Sequence, residues 1–269
     1  MIIGFDKGAS AVKIAALDGD RVLYTKCVVG NERIAEELLR DFITEKRISA
    51  ENIEAVAVTG VGAEKSRFGD YQDKVSYVPE IEATGEGGSW LADCYDAVVV
   101  SIGTGTSIVL SRYGEYRHIG GSGVGSGTLR GFAKKMFGIT DVFGLFGLAE
   151  KGNRLNVDLT IGDLFSGTDT LPLDLTASNL AKCGDGASKS DWAMALINMV
   201  MEVAGSHAAL ACGGFGIKNV IITGGISQTE IAKTAYDNFS KLYRLNYIIP
   251  EFSGYATAIG AARRKKSGI

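Results

Sequence analysis

The same backbone plan occurs twice in this chain: an apolar strand, a glycine-containing loop, a second strand, a tight turn and a third strand. The first copy covers residues 2–28, with Gly8 in its loop, and the second covers residues 97–119, with Gly105 in its loop. Apolar runs separated by such turns predict antiparallel meanders. Helical patterns follow both meanders, so we predict an α/β fold with two related mixed sheets flanked by helices.

Helical periodicity is clearest in five segments. Residues 32–46, 127–137, 227–242 and 256–264 have helical patterns, and a capping-box signature at residues 188–191 opens a helix that extends to about Cys212. We place one domain at residues 1–95 and the other at residues 96–269. The terminal helix, about residues 256–266, is a candidate to pack on the first domain.

Composition excludes several classes of protein. The chain has 269 residues, of which 46% are hydrophobic and 22% charged, and its net charge of −3 gives no basis for nucleic-acid binding. Its apolar runs are far shorter than the ~20 residues that span a bilayer, and its first residues lack the pattern of a signal peptide. We therefore expect a cytoplasmic protein with no nucleic-acid or membrane partner. The four cysteines are too scattered to predict a zinc site or disulfides, and we expect buried thiols.

Both glycine loops are suited to holding phosphate groups, because a residue without a Cβ lets backbone N–H groups approach an anion closely. Asp6 ends the first strand, where its carboxylate could hold Mg²⁺ through water, and Lys13 lies on the next strand. Thr104 offers a hydroxyl in the second loop, and Gly224-Gly225 follows a third apolar strand. The P-loop pattern GxxxxGK[ST] is absent, and no Rossmann GxGxxG follows the first strand.

Duplicated meanders with phosphate loops resemble the actin, sugar-kinase and Hsp70 superfamily, whose actin-like (ribonuclease H-like) domains bind ATP in the cleft between them. Within this superfamily the chain is similar to the type II pantothenate kinases in five ordered segments. Residues 4–13 resemble GIDxGGTxxK, with Ala9 and Ser10 in place of glycine and threonine, and residues 79–83 resemble an acidic E-[FIL]-[DE]-A element. The other three are residues 102–107, which match GTGTS, residues 117–127, which resemble R-x-(V/I)-GG followed by further glycines, and residues 173–179, which resemble DLTA[SA]N.

The resemblance implies an ATP-dependent, Mg²⁺-requiring phosphorylation of pantothenate to 4′-phosphopantothenate, the first step toward coenzyme A. It also implies a homodimer formed through the long helix of the second half. Glu80 matches the family's catalytic glutamate, which accepts the proton of the 4′-hydroxyl, and Arg117 matches an arginine that contacts pantothenate and the transferring group. Without the resemblance, Glu80 is equally a helix-start carboxylate and Arg117 an exposed hairpin residue. We expect Glu82 and Glu86 on a solvated or metal-facing helix surface.

The resemblance further implies a set of nucleotide-binding positions, with Asp6 also as the Mg²⁺ ligand: Asp6, Gly8, Ser10, Lys13, Thr104, Gly105, Ser126, Gly127, Thr128, Leu129, Arg130 and Gly225. Residues 126–130 are expected to start a helix whose N–H groups face the nucleotide. Residues 140–143 read Thr-Asp-Val-Phe, whereas bacterial relatives have a tyrosine shortly after the Thr-Asp pair. The adenine contact is therefore expected to differ. Phe143 could line a nearby pocket, but we expect it to fill the core.

The sequence also leaves open a second function, of a different class. The chain also resembles the ATPase activators of acyl-CoA dehydratases and reductases, in which cysteines beside glycines hold an iron–sulfur cluster between subunits. Cys183 and Cys212 each precede a glycine, whereas the acidic segment at Glu80 and the segment at residues 173–179 favour the kinase. A sugar kinase of the same superfamily is disfavoured, because the zinc-binding cysteine cluster usual in that group is missing.

Overall fold

The first half of the chain forms a five-stranded mixed sheet. The computed structural model describes residues 1–30, 32–165, 172–182 and 186–267. The strands of the first sheet are β1 (Ile2–Lys7), β2 (Ala11–Asp18), β3 (Arg21–Val29), β4 (Ala55–Gly60) and β5 (Val75–Tyr77). Their order is β3-β2-β1-β4-β5: the first three form the predicted antiparallel meander, and β4 and β5 continue the sheet in parallel.

A second five-stranded sheet repeats this plan. Its strands are β6 (Asp96–Ile102), β7 (Thr106–Arg112), β8 (Glu115–Ser122), β11 (Asn219–Thr223) and β12 (Asn246–Ile248). The order β12-β11-β6-β7-β8 again combines an antiparallel meander with two parallel strands. A separate pair, β9 (Leu159–Thr160) and β10 (Thr176–Ser178), is antiparallel. The predicted fold, with two related mixed sheets, is confirmed.

Eight α-helices accompany these strands in the described part of the chain: α1 (Ala35–Glu45), α2 (Glu80–Leu91), α3 (Ser126–Phe132), α4 (Val142–Ala149), α5 (Ile161–Leu164), α6 (Lys189–Phe215), α7 (Glu230–Tyr243) and α8 (Ala256–Ser267). A π-helical turn, Ala133–Phe137, extends α3. The capping box predicted for α6 is confirmed: the Ser188 hydroxyl accepts from the Asp191 N–H, and the Asp191 carboxylate accepts from the Ser188 N–H.

Each sheet has its own core on its outer side. In the first half, Ile3, Phe5 and Ile14 of the sheet pack with Leu38 and Phe42 of α1. In the second half, α6 supplies much of the buried surface against β6, β7 and β11. Helix α6 is long and apolar enough to cross a membrane, but 56% of its most apolar window is buried inside the protein, as expected for the core helix of a globular domain.

Two helices lie between the sheets, and each packs on the sheet formed by the other half of the chain. Helix α2, which precedes the second sheet in sequence, packs on β6, β7 and β8, while α8, from the end of the chain, packs on β1, β2 and β4. The two helices also cross each other in backbone contact: a Cβ on Gly87 would lie 1.8 Å from the Ala256 carbonyl oxygen, and one on Gly260 would lie 1.8 Å from that of Ala83. The domain boundary between residues 95 and 96 stays a prediction.

The segment at residues 173–179 has a structural role around β10. Thr176 donates to Glu202 of α6 (2.6 Å) and accepts from Arg154 (2.9 Å), and the Asn179 amide donates to Glu202 (2.6 Å). Arg154 also donates to the carbonyl oxygen of Asp174. These bonds tie β10 to the side of α6 within the second half.

The crossing of α2 and α8 yields a stability prediction. Gly260→Ala places a methyl group against the α2 backbone, which cannot move aside cheaply, so we expect the free energy of unfolding to fall by about 1–3 kcal/mol. Gly147→Ala in α4 is the matched control, because its Cβ meets nothing within 4 Å. An alanine there favours the helix by up to about 1 kcal/mol. Urea unfolding should therefore separate the two variants in opposite directions, and equal stabilities would contradict the close crossing.

Candidate active site

A row of side chains crosses the first sheet where β1 ends. Asp6 on β1 is paired with Lys13 on β2 and with Thr59 on β4. Directly opposed residues of adjacent strands share one face of a sheet, so the acid, the cation and the hydroxyl lie together. Asp6 is 7% exposed, and Oγ1 of Thr59 is buried with no hydrogen-bond partner among the described residues. The structure thus brings the predicted Asp6 and Lys13 together and adds Thr59.

Thr59 was not among the predicted site residues, although the sequence contains a signal for it. The residue ends an apolar strand and precedes Gly60, and this repeats the pattern of a polar residue at a strand end followed by glycine. Gly60 has φ +97°, and a Cβ there would lie 3.0 Å from Oδ1 of Asp6. Glycine is needed at this position because the backbone is left-handed and because a side chain would crowd the Asp6 carboxylate.

The carboxyl of Asp6 is in an unfavourable place for a charge. Burial raises its pKa to about 6, Lys13 opposes this by favouring the charged form, and Glu80 raises the pKa further. Glu80 follows β5, whose last residue pairs with Val58 of β4 next to Thr59, so the start of α2 lies at the same edge of the sheet as Asp6. The predicted metal ligand and the predicted base therefore lie at one edge of the first sheet.

The two glycine loops face each other. Oγ of Ser10, in the loop after β1, lies 2.8 Å from Oγ1 of Thr104, in the loop after β6. Both loops are tight: a Cβ on Gly8 would lie 2.8 Å from the Ala11 carbonyl oxygen, and one on Gly105 would lie 2.8 Å from that of Ser122. The two phosphate-loop candidates therefore open onto one cleft between the sheets.

The third glycine element completes this cleft. Gly225 follows β11, and Nζ of Lys13 reaches to 4.0 Å from the point that a Cβ of Gly225 would occupy. Beside it lies a pocket of about 450 Å³, lined by Thr25 of the first sheet and by Phe143, Gly225 and Tyr255, among others. Phe143 is 52% exposed, so the expectation that it fills the core is wrong. Its ring instead offers an aromatic wall to the pocket.

Glu80 is the first residue of α2 and is exposed. Its carboxylate makes no hydrogen bond or ion pair with the residues that the structure describes, and its charge acts on the pKa of Asp6. Pro79 precedes it at the N-cap position, which fixes the start of the helix there. Glu80 thus combines the position of a helix-start acid with a carboxylate that is available for chemistry.

The next two acids of α2 are engaged elsewhere. Glu82 accepts from Arg264 of α8 at 2.6 Å, and Glu86 accepts from Arg263 at 3.0 Å and from the Tyr116 hydroxyl at 2.6 Å. Glu86 is also buried. The expectation of a solvated or metal-facing surface is therefore wrong for Glu86, whereas Glu82 stays partly exposed; the two acids join α2 to α8, and Glu86 also joins it to β8.

The start of α3 supports the second loop. The N–H of Ser126 donates to the Gly103 carbonyl oxygen (2.8 Å), and that of Gly127 donates to the Thr104 carbonyl oxygen (2.9 Å). The Ser126 hydroxyl donates to Gly103 as well. These two N–H groups therefore hold the second loop in place, and the nucleotide contacts expected of Ser126 and Gly127 stay predictions.

The other three predicted positions of α3 differ in their exposure and in their hydrogen bonds. Thr128 closes the helix start, since its hydroxyl accepts from the Gly125 N–H and donates to the Gly123 carbonyl oxygen. Leu129 is fully buried and its N–H donates to the Gly125 carbonyl oxygen, and the nucleotide contact expected of Leu129 stays a prediction. Arg130 is exposed, and its nucleotide contact stays a prediction.

Arg117 does not lie beside Glu80. It is opposite Leu110 in the register of β7 and β8, on the face of the second sheet that packs on α6, and its guanidinium lies 5.4 Å from the centre of the Phe215 ring. Tyr116, the preceding residue, lies on the other face and contacts α2. Successive side chains of a strand point to opposite faces, so the structure does not bring Arg117 together with Glu80, and the role expected of Arg117 stays a prediction.

The cleft fits a nucleotide with its cation better than a metal ion alone. No group of three or more His, Cys, Asp or Glu side chains within the described ranges could hold a metal ion. Mg²⁺, however, commonly takes one or two carboxylates, waters and the substrate's phosphates. The buried Asp6 carboxylate and the unpartnered Thr59 hydroxyl are oxygen donors of that kind.

Sequence comparison places the chain among known proteins. The family model Fumble matches residues 76–264. A curated relative, the type II pantothenate kinase of Bacillus thuringiensis subsp. konkukian (strain 97-27), is 29% identical over 280 residues, which cover 98% of this chain and 99% of that protein. The similarity therefore extends over both sheets and both loops.

Solved structures show the same fold at lower identity. Component A of the (R)-2-hydroxyglutaryl-CoA dehydratase of Acidaminococcus fermentans has a TM-score of 0.71 at 17% identity, with 100% of this chain and 99% of that chain covered. A ROK family glucokinase from Streptomyces griseus, in complex with glucose and AMPPNP, has a TM-score of 0.61 at 16% identity, with 99% of both chains covered. At such identities the likeness establishes the fold alone.

The buried carboxyl of Asp6 leads to a prediction about stability. Its pKa in the folded chain is about 6, above its ordinary value, so folding is favoured at low pH and this contribution is lost as the pH rises through 6. Asp6→Asn should therefore raise the free energy of unfolding of the ligand-free protein by about 1–3 kcal/mol at pH 7.5. The gain should shrink toward pH 5, as measured by urea unfolding.

Asp191→Asn is the control of opposite sign. Backbone N–H groups of Asn153 and Ser188 hold the pKa of Asp191 at about 2, so removing that charge should lower stability at pH 7.5. If Asp6→Asn also lowered stability at pH 7.5, the account of a strained, buried carboxylate would be wrong.

Proposed function

The chain belongs to the Fumble family, and from that premise we propose that it is a pantothenate kinase, which transfers the γ-phosphoryl group of ATP to the 4′-hydroxyl of pantothenate. One observation carries the proposal: two glycine loops face each other across a cleft into which an unengaged carboxylate, Glu80, also opens. Similarity to curated type II pantothenate kinases over nearly the whole chain supports the choice of acceptor.

The proposed nucleotide site uses groups from both halves of the chain. The loops that carry Ser10 and Thr104 flank the phosphates, and Lys13, which is opposite Asp6 on β2 and extends its ammonium toward Gly225, attracts their charge. Phosphoryl transfer depends mainly on such positioning and on charge neutralisation. Mg²⁺, when bound, would neutralise phosphate charge, with Asp6 as its protein ligand. The adenine base would occupy the pocket beside Gly225, where Phe143 offers a face for stacking.

Glu80 is proposed as the general base. A base for the 4′-hydroxyl must be ionised, must lie beside the phosphates and must not be held by another protein group. Glu80 meets these conditions better than its neighbours, because Glu82 and Glu86 are paired with arginines of α8. As the hydroxyl attacks the γ-phosphorus, its proton passes to the Glu80 carboxylate. Arg117 has no part in this step, since it lies on the far face of the sheet.

A homodimer through α6 is part of the proposal. The C-terminal half of α6 carries Leu210, which is 76% exposed, and His207 one turn before it on the same side. An exposed leucine on a helix whose other side forms the core suits contact with a second copy of the chain. The cytoplasmic location and the absence of nucleic-acid and membrane partners remain predictions from the sequence.

The alternative, an ATPase that activates a dehydratase or reductase, has less support. Its proposed cluster ligands were Cys183 and Cys212. Cys212 is 1% exposed and packs in the core of the second half, where it cannot bridge two subunits, and Cys183 lies outside the described residues. The thiols are not uniformly buried as expected, because Cys27 is exposed. Cys27 lies opposite Lys13 on β3, far in sequence from a second cysteine.

The acceptor is tested by ADP release from purified protein with pantothenate, pantetheine and several sugars in parallel. We expect ADP release to depend on pantothenate and a phosphorylated product to accumulate in equal amount, as seen by mass spectrometry. Pantothenate-independent hydrolysis by a brown protein would instead favour the activator, and dependence on a sugar alone would refute pantothenate as the acceptor.

Glu80→Gln tests the base, since it preserves shape and removes the proton acceptor. We expect kcat to fall by ~10²–10⁴-fold while the dissociation constant of ATP, measured by calorimetry, stays within about twofold. Glu82→Gln is the matched control, two residues further along α2 and paired with Arg264. It should retain kcat, and near-normal turnover of Glu80→Gln would remove this residue from the mechanism.

A further inference from the structure

Strand β8 turns one of its faces toward α2, and that face carries His118. In the register with β7, His118 is opposite Val109, and Tyr116 is opposite Ser111. Val109 belongs to the cluster that Ile81 of α2 and Tyr116 pack against. His118 therefore lies on the side of the second sheet that faces the other half of the chain, whereas Arg117 lies on the opposite side.

Two contacts of Tyr116 with α2 show which part of that helix lies opposite His118. The Tyr116 hydroxyl bonds to Glu86, and its ring is 2.3 Å from the point that a Cβ of Gly85 would occupy. From Tyr116, β8 continues toward Ser122, which contacts Gly105 of the second loop, while α2 runs back toward its start at the cleft.

The step from Tyr116 to His118 along β8 covers about 6.6 Å. The same distance along α2 corresponds to a little over four residues. His118 is therefore level with Ile81 and Glu82, in the first turn of α2. Glu80 opens that same turn. The imidazole thus belongs beside the carboxylate proposed as the base, at the edge of the cleft.

Polar groups without partners line this same face. Ser107 lies on the same face of β7 as Val109, two residues closer to the glycine loop. Its Oγ is buried and has no hydrogen-bond partner in the described part of the chain. His118 is exposed and likewise makes no hydrogen bond or ion pair there. His118 and Ser107 on this sheet face, and Glu80 at the start of α2, are thus polar side chains that no described residue engages.

We propose that His118 contacts the acceptor substrate and donates a hydrogen bond from its imidazole to an oxygen of the acceptor beside the hydroxyl that is phosphorylated. The inference rests on the proposed kinase function, which supplies the acceptor. It assigns to His118 the place beside Glu80 that the sequence pattern had given to Arg117. Because the contact is to the acceptor, it acts on recognition of pantothenate and leaves ATP binding unchanged.

Steady-state kinetics of three variants tests this assignment. His118→Ala should raise the KM for pantothenate about tenfold, as expected for one lost hydrogen bond, and leave the KM for ATP unchanged. His118→Gln keeps a donor and should recover part of the loss. Arg117→Ala is the matched control on the other face and should retain the wild-type KM for pantothenate. Thermal unfolding confirms that each variant is folded, which is expected since both residues are exposed.

The outcomes separate this inference from the proposed function. A wild-type protein that releases no ADP with pantothenate would refute the function, and with it the acceptor assigned to His118. An active wild type whose His118→Ala variant keeps its KM for pantothenate would refute the inference alone. A larger effect of Arg117→Ala than of His118→Ala would also overturn it.

Discussion

The close crossing of α2 and α8 is the contact on which the rest of the structure depends. Each helix covers the sheet of the other half of the chain, and Gly87 and Gly260 let the two backbones touch. Ion pairs from Arg263 and Arg264 to acids of α2 surround the crossing. Because this contact fixes the sheets against each other, both glycine loops end at one cleft, where Ser10 meets Thr104. Glu80 reaches the cleft as the first residue of a crossing helix.

The cleft contains buried polar groups that destabilise the folded chain and that a purely structural region would not need. A carboxylate with its pKa raised to about 6, buried beside an unpartnered threonine hydroxyl, costs the folded chain stability. Lys13 offsets only part of that cost. Such unsatisfied groups are expected where a ligand completes the site, since strain and perturbed pKa values concentrate at functional positions. The engaged acids Glu82 and Glu86 show the contrast, because each has a fixed basic partner.

The fold could be predicted from sequence because its signals are local. Apolar runs and glycine turns defined both meanders, and Ser188 with Asp191 defined the start of α6. The side chains of the site were harder to place, because their orientation depends on register. Strand β8 contains a bulge opposite Ile108 and Val109, so spacing from the glycine loop does not tell which face Arg117 or His118 occupies. Pairing of Glu86 with the end of the chain is likewise invisible in sequence.

The most direct test of the central claim is a crystal structure of the protein with a non-hydrolysable ATP analogue and pantothenate. The account predicts phosphates between the loops of Ser10 and Thr104, a single nucleotide per chain, and the 4′-hydroxyl within hydrogen-bond distance of Glu80. A nucleotide held by one half of the chain only, or pantothenate bound away from the start of α2, would contradict it.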